Sequence, residues 1–127
     1  MIDAPGLNAV IRAVTATLIR NDYHVLGFQD GFEGLLDKKT VALNWNAVTS
    51  LFSVGGTILG TSNSGHFTHP LDPEIARRTA ESYNEYGLSC IVCIGGDGTM
   101  SIGYEIARLT GINIVGMIFS LSLFTFL

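Results

Sequence analysis

A glycine-rich turn between an apolar run and a helical segment constrains this chain more than any other feature. Residues 88–94 (LSCIVCI) form a largely apolar run, which is typical of a parallel strand covered on both faces. The turn follows at residues 95–99 (GGDGT), a helix is predicted from Met100 to about Leu109, and residues 112–115 (INIV) predict the next strand. Strand, turn, helix and strand in this order predict an α/β layered sheet.

The rest of the chain fits the same fold class. Apolar residues recur at helical spacing and predict the buried face of a helix over residues 7–20: Leu7, Val10, Ile11, Val14 and Leu18. Residues 44–52 predict a short helix. Residues 72–74 (DPE) predict the start of a further helix that ends before Gly87, because a carboxylate caps free N–H groups and proline is tolerated at the first helical position. Residues 23–28 predict a short strand. We therefore expect a Rossmann-like layered parallel sheet with flanking helices.

Composition and charge exclude several classes of protein. A chain of 127 residues with 47% hydrophobic and 14% charged residues favours a buried core over disorder. The net charge is -4 and the seven basic residues are scattered, so nucleic acid is not an expected partner. No basic stretch precedes an apolar segment at the N-terminus, which predicts a cytoplasmic setting. The apolar residues 112–127 fall short of the roughly 20 needed to span a bilayer.

The turn at residues 95–99 has the chemistry of a phosphate site. Ligands of parallel α/β sheets lie at the carboxyl ends of the strands, where glycines admit phosphate oxygens and the next helix presents free N–H groups. Asp97 would repel a phosphate unless a cation stood between them, and Mg²⁺ is the natural bridge. We predict that the phosphate site consists of four residues: Gly96, Asp97, Gly98 and Thr99. Among them, Asp97 is the predicted metal ligand. The alternative is a purely structural turn in which Asp97 caps the helix.

Four segments together resemble the phosphofructokinase family. Residues 94–100 (IGGDGTM) are similar to the family's phosphate-binding motif, and residues 3–12 (DAPGLNAVIR) resemble its G-G-D-x-P-G-x-N-x-x-I-R opening. Residues 27–35 (GFQDGFEGL) are similar to its G-x-x-x-G-F-x-G-L turn, and residues 55–62 (GGTILGTS) to its G-G-T-x-L-G-T-S element. The motifs stand in the family's order, and the resemblance extends from residue 3 to about residue 116.

The resemblance implies a 6-phosphofructokinase, which transfers a phosphoryl group to fructose 6-phosphate in glycolysis. It implies that Asp97 is the Mg²⁺-associated aspartate and that Gly98 and Thr99 contact the donor's phosphates. Family members that use pyrophosphate tend to carry an aspartate at the position of Gly98, so glycine favours ATP, with pyrophosphate as the alternative donor. Full-length relatives are expected to be homo-oligomeric.

The sequence also departs from the family. The two glycines and the strand that the family has ahead of Asp3 are absent. Asn63 follows the motif at residues 55–62, where the family has an arginine. After Gly116 the family's T-I-D-N-D segment, which holds the catalytic base, is replaced by MIFSLSLFTFL. We therefore predict an incomplete N-terminal nucleotide-binding domain over residues 1–116, a divergent apolar tail over residues 117–127, and no catalytic residue. A shift of reading frame or a mis-joined gene end would explain the change.

Other interpretations remain open from the sequence. A lipid or NAD kinase relative would share the GGDGT loop, and a non-enzymatic nucleotide-binding or membrane-associated remnant would use the apolar tail. Cys90 and Cys93 form a C-x-x-C, but residues three apart in a strand face opposite sides, so redox or metal chemistry is not expected. His66 and His69 have no third metal ligand at a recognisable spacing. Trp45 is predicted to lie in the core or at a protein contact.

Overall fold

The computed structural model describes residues 7–50 and 65–118, without the side chains of residues 48–50. Two of the predicted motifs fall partly or wholly outside these ranges. They are the glycine-rich motif at residues 55–62, with the two residues that follow it, and residues 3–6 of the opening motif. The chain divides into two units, residues 1–62 and 63–127. Their helices and strands, in chain order, are α1 (Leu7–Arg20), β1 (Leu26–Phe28), α2 (Phe32–Asp37), β2 (Thr40–Ala42) and α3 (Trp45–Ser50), then α4 (Pro73–Glu85), β3 (Ile91–Gly95), α5 (Asp97–Thr110) and β4 (Ile114–Ile118).

In the first unit, α1 has the predicted bounds but a shifted buried face. Leu7 and Ile11 are buried as expected, and the polar residues Asn8 and Thr15 are buried beside them. Val10 and Val14, predicted on the buried face, are only half-buried. The buried face is therefore rotated toward the polar side of the predicted stripe, because tertiary contacts and not hydrophobicity alone decide what is covered.

The strands of the first unit form an antiparallel pair rather than part of a long parallel sheet. β1 pairs with β2 so that Leu26 lies opposite Ala42 and Phe28 opposite Thr40. The predicted strand at residues 23–28 is wrong in its first half, since only three residues pair. The motif at residues 27–35, predicted as a turn, contains the first residues of α2, which begins after Asp30 and Gly31, both with positive φ. Sequence alone missed this helix because it is only six residues long.

Trp45 is not a core residue. Its side chain is 46% exposed at the start of α3. The guanidinium of Arg20, the last residue of α1, lies 5.7 Å from the centre of its ring, within reach of a cation–π contact. The core of this unit contains Leu35 and Leu43 instead.

In the second unit, α4 begins where the sequence predicts. The Asp72 carboxylate accepts a hydrogen bond from the Glu74 backbone N–H at 2.9 Å, and Pro73 occupies the first helical position. Ile75, Thr79 and other predicted positions are buried along one face. The helix ends before Gly87, whose φ of 66° is in the left-handed region.

The cap on α4 gives a first prediction. Asp72→Ala leaves the Glu74 N–H without its acceptor and should lower the free energy of unfolding by about 1 kcal/mol. Asp72→Ser retains an oxygen acceptor and should stay within about 0.5 kcal/mol of the wild type. Urea denaturation followed by far-ultraviolet circular dichroism measures both variants. Equal losses for serine and alanine would contradict the role of the side-chain oxygen.

Residues 91–118 of the second unit form a strand–helix–strand unit with parallel strands. β3 and β4 pair from Ile91 opposite Ile114 to Gly95 opposite Ile118, and α5 connects them. The parallel α/β arrangement is confirmed here. Ile102 and Ile106 of α5 are buried, as is Cys93 of β3.

The boundaries of these elements differ from the predictions at several points. β3 begins at Ile91 rather than residue 88, and β4 occupies Ile114–Ile118 rather than residues 112–115. β4 therefore crosses the predicted border between residues 116 and 117, and that border stays a prediction. In the part of the chain that the structure describes, no helix is long and apolar enough to cross a membrane.

Candidate nucleotide phosphate site

The glycine-rich turn takes a single residue between strand and helix. β3 ends at Gly95, Gly96 is the N-cap with extended backbone (φ -91°, ψ -165°), and α5 begins at Asp97. The helix therefore starts three residues earlier than predicted, and Asp97 is not its N-cap. Thr99 lies with Asp97 in the first helical turn. The four predicted site residues are thus consecutive residues at the start of α5.

The backbone of this turn is arranged to receive an anion. The first intrahelical bond runs from the Met100 N–H to the Gly96 carbonyl at 3.0 Å. The N–H groups just before it have no partner within an α-helix, and the N-cap residue, Gly96, has no side chain that could cap them. The positive end of the helix dipole adds to the attraction for negative charge.

Gly96 and Gly98 leave open space beside the backbone. Among the residues that the structure describes, no neighbouring atom lies within 4 Å of where a β-carbon would stand at either position. Both residues are exposed, as is Asp97, whereas Thr99 is half-buried. The absence of side chains at these two positions therefore keeps the N–H groups of the first turn accessible to a ligand.

The donor set fits a magnesium ion that is shared with a phosphate. Asp97 provides an exposed carboxylate at the start of α5. Within residues 7–50 and 65–118, no group of three or more His, Cys, Asp or Glu side chains is placed to hold a metal. Mg²⁺ commonly takes one or two carboxylates and completes its shell with phosphate oxygens and water, so one carboxylate beside a phosphate site suits it. Asp97 is the residue that would hold such an ion.

Cys93 of β3 contacts the first turn of α5, a contact that the sequence did not predict. Its Sγ lies 3.8 Å from the Thr99 carbonyl oxygen and donates a weak hydrogen bond to it. Burial raises the pKa of the Cys93 thiol to about 11. Cys90 is exposed, Cys93 is buried, and both cysteines are free. The only sequence signal for the burial of Cys93 was its place in the apolar run at residues 88–94.

The two cysteines should differ in reactivity. At pH 8 the Cys93 thiol is protonated and buried, because its pKa of about 11 lies well above that pH, and the thiolate is the nucleophile. Iodoacetamide should therefore alkylate Cys90 and leave Cys93 unmodified in the folded protein. Both cysteines lie in the tryptic peptide of residues 79–108, so tandem mass spectrometry is needed to assign the modified residue. In urea both should react. Equal labelling rates in the folded state would contradict the burial of Cys93.

Comparison with known proteins identifies the family. A profile of the phosphofructokinase family matches residues 2–122. The chain belongs to the phosphofructokinase family. An ATP-dependent 6-phosphofructokinase of Chloroflexus aggregans is 42% identical over 121 residues, covering 91% of this chain and 34% of the relative. That of Clostridium botulinum strain Eklund 17B is 39% identical over 115 residues, covering 91% of this chain and 35% of the relative.

Solved phosphofructokinase structures share the fold. The phosphofructokinase of Saccharomyces cerevisiae superposes with a TM-score of 0.76 at 30% identity, over 93% of this chain and 19% of the yeast chain. A pyrophosphate-dependent phosphofructokinase of Marinobacter aquaeolei superposes with a TM-score of 0.66 at 16% identity, over 90% of this chain and 29% of that one, which reflects the fold alone. The chain spans about a third of the length of the curated relatives.

Family membership decides among the interpretations drawn from the sequence. The predicted resemblance to phosphofructokinases is confirmed, and a lipid or NAD kinase relative is not supported. The two curated relatives described above are named ATP-dependent, and one of the solved structures is named pyrophosphate-dependent. The roles of the four residues at the start of α5 remain predictions. His66 and His69 are both exposed. Among the residues that the structure describes, no group of three or more possible metal ligands includes them.

Proposed function

We propose that this chain carries the donor-binding element of an ATP-dependent 6-phosphofructokinase. The observation that carries the proposal is the GGDGT turn of a phosphofructokinase-family chain. In this turn the N-cap of α5 is a glycine, and the described residues leave the space beside Gly96 and Gly98 open. A polyphosphate placed there meets free N–H groups, the helix dipole and a carboxylate for its metal.

Each of residues 96–99 has a proposed role in binding the donor. Gly96 and Gly98 admit phosphate oxygens to the backbone N–H groups, since no side chain occupies the space beside them. Thr99 adds a hydroxyl donor from the same helical turn. Asp97 holds Mg²⁺, which, when bound, neutralises phosphate charge for phosphoryl transfer. The chain's contribution is to orient the donor and fix its metal.

The proposed donor is ATP. The two curated relatives described above are named ATP-dependent, and no described atom lies within 4 Å of where a β-carbon at Gly98 would stand. The proposed acceptor of the whole enzyme is fructose 6-phosphate, in cytoplasmic glycolysis, with the enzyme assembled as a homo-oligomer.

This chain by itself is proposed to bind the donor without transferring its phosphoryl group. After Gly116 the sequence contains no acidic or basic residue, so it offers no carboxylate base there for a sugar hydroxyl. We retain the proposal that residues 117–127 form a tail that diverges from the family, although the family profile extends to residue 122.

Isothermal titration of the chain with ATP, with and without Mg²⁺, tests the proposal. We expect one saturable site that requires Mg²⁺ for full affinity and binds pyrophosphate more weakly. Absence of ATP binding by protein that is folded by circular dichroism would overturn the proposed function, and tighter binding of pyrophosphate would overturn the choice of donor. A coupled assay with fructose 6-phosphate should detect no product, and fructose 1,6-bisphosphate formation would refute the proposed lack of transfer.

A further inference from the structure

Gly95 lies directly against the side chain of Thr99. A β-carbon at Gly95 would lie 2.7 Å from Thr99 Oγ1, 2.9 Å from its Cβ and 3.1 Å from its Cγ2. Non-bonded carbon atoms normally approach to about 3.5 Å. Thr99 therefore occupies the space that any other residue at position 95 would fill. The neighbouring Gly96 differs, since a β-carbon there would meet no atom of the described part of the chain within 4 Å.

The threonine has little freedom to move away. Its side chain is β-branched, so few rotamers are available to it in a helix. Its carbonyl oxygen is contacted by Cys93 Sγ from the same strand, two residues before Gly95. Residues two apart in a strand share a face, so Cys93 and Gly95 hold the backbone and the side chain of Thr99 from one face of β3.

We propose that Gly95 is a positioning residue that fixes the first turn of α5, and with it the Thr99 hydroxyl, for binding the donor's phosphates. This inference rests on the proposed function. A side chain at position 95 would displace Thr99, and Asp97 and Gly98 would move with it because they share the same helical turn. Gly95 itself need not touch the ligand.

Four proteins test the packing in the absence of ligand: wild type, Gly95→Ala, Thr99→Gly and the double variant. Gly95→Ala should lower the urea midpoint in the wild-type background and change it little when Thr99 is glycine, because the clashing atoms are then gone. Gly96→Ala is the matched control, and it should leave the midpoint nearly unchanged. Equal shifts in both backgrounds would overturn the proposal. If Gly95→Ala does not fold, recovery of folded protein in the double variant supports it and failure to recover refutes it.

The same proteins test the effect on the donor. At a temperature where all are folded, Gly95→Ala should weaken Mg²⁺·ATP binding about tenfold, the value of one hydrogen bond to a charged group. In the Thr99→Gly background the same change should cause no further loss, because Gly95 acts through Thr99. Ile75→Val, a mild core change in α4, controls for general destabilisation and should bind like the wild type. A further loss in the Thr99→Gly background would show that position 95 acts on the ligand directly.

The two proposals fail separately. If the wild-type chain binds no Mg²⁺·ATP, the proposed function is wrong, while the unfolding cycle still determines whether Gly95 positions Thr99. If the wild type binds and Gly95→Ala binds equally well, the donor site stands and the positioning role of Gly95 is refuted.

Discussion

Asp97→Asn should remove the Mg²⁺ dependence of ATP binding while the protein stays folded. The substitution keeps the size and hydrogen-bonding capacity of the side chain but removes the negative charge that a divalent cation requires. We expect a loss of roughly 100-fold in Mg²⁺·ATP affinity, the upper end of what removing even an indirect metal partner costs. Titration of ATP at several Mg²⁺ concentrations measures the change.

Glu74→Gln is the matched control for this experiment. Glu74 is also an acidic residue in the first turn of a helix, but α4 starts with Pro73 and has no glycine-rich turn. The control should bind Mg²⁺·ATP like the wild type. An Asp97→Asn variant that retains full Mg²⁺-dependent affinity would refute the assignment of Asp97 as the metal ligand.

Gly34→Ala should strongly destabilise the first unit. Alanine normally stabilises a helix relative to glycine by about 1 kcal/mol. Here a β-carbon would lie 1.7 Å from the carbonyl oxygen of Gln29 and 2.8 Å from its carbonyl carbon, and backbone atoms cannot rotate away as a flexible side chain can. Relief requires α2 to move, so we expect the sign to reverse and the loss to reach about 3 kcal/mol.

Fluorescence of Trp45 during urea denaturation can follow this loss, because the only tryptophan of the chain belongs to the first unit. Asp37→Ala, at the exposed end of the same helix, is the control and should shift the midpoint little. A midpoint for Gly34→Ala equal to or above that of the wild type would contradict the close approach of α2 to Gln29.

Features that depend on neighbours in sequence could be predicted without the structure. The start of α4 follows from Asp72, Pro73 and Glu74, because capping is a contact between residues two apart. The family could be recognised because its motifs are short and local. The four residues at the start of α5 were predicted as a set for the same reason.

Features that depend on distant partners could not be predicted in this way. β3 begins at Ile91 because its N–H donates to the Asn113 carbonyl at 2.9 Å, a partner 22 positions away in the chain. α5 extends back to Asp97 although glycine is a weak helix former, since its first turn packs on Cys93 and Gly95 of β3. Propensity is a weak prior that such packing overrides.

The glycine-rich turn itself divides along the same line. Its composition, which the sequence displays, already predicts a strand-to-helix turn with glycines for phosphate approach and one carboxylate for a metal. Only the tertiary structure distinguishes its glycines. The described residues leave the space beside Gly96 and Gly98 open, whereas the side chain of Thr99 fills the space beside Gly95. The physical reason is that backbone freedom is a property of the residue, while the space beside a backbone atom is determined by what folds against it.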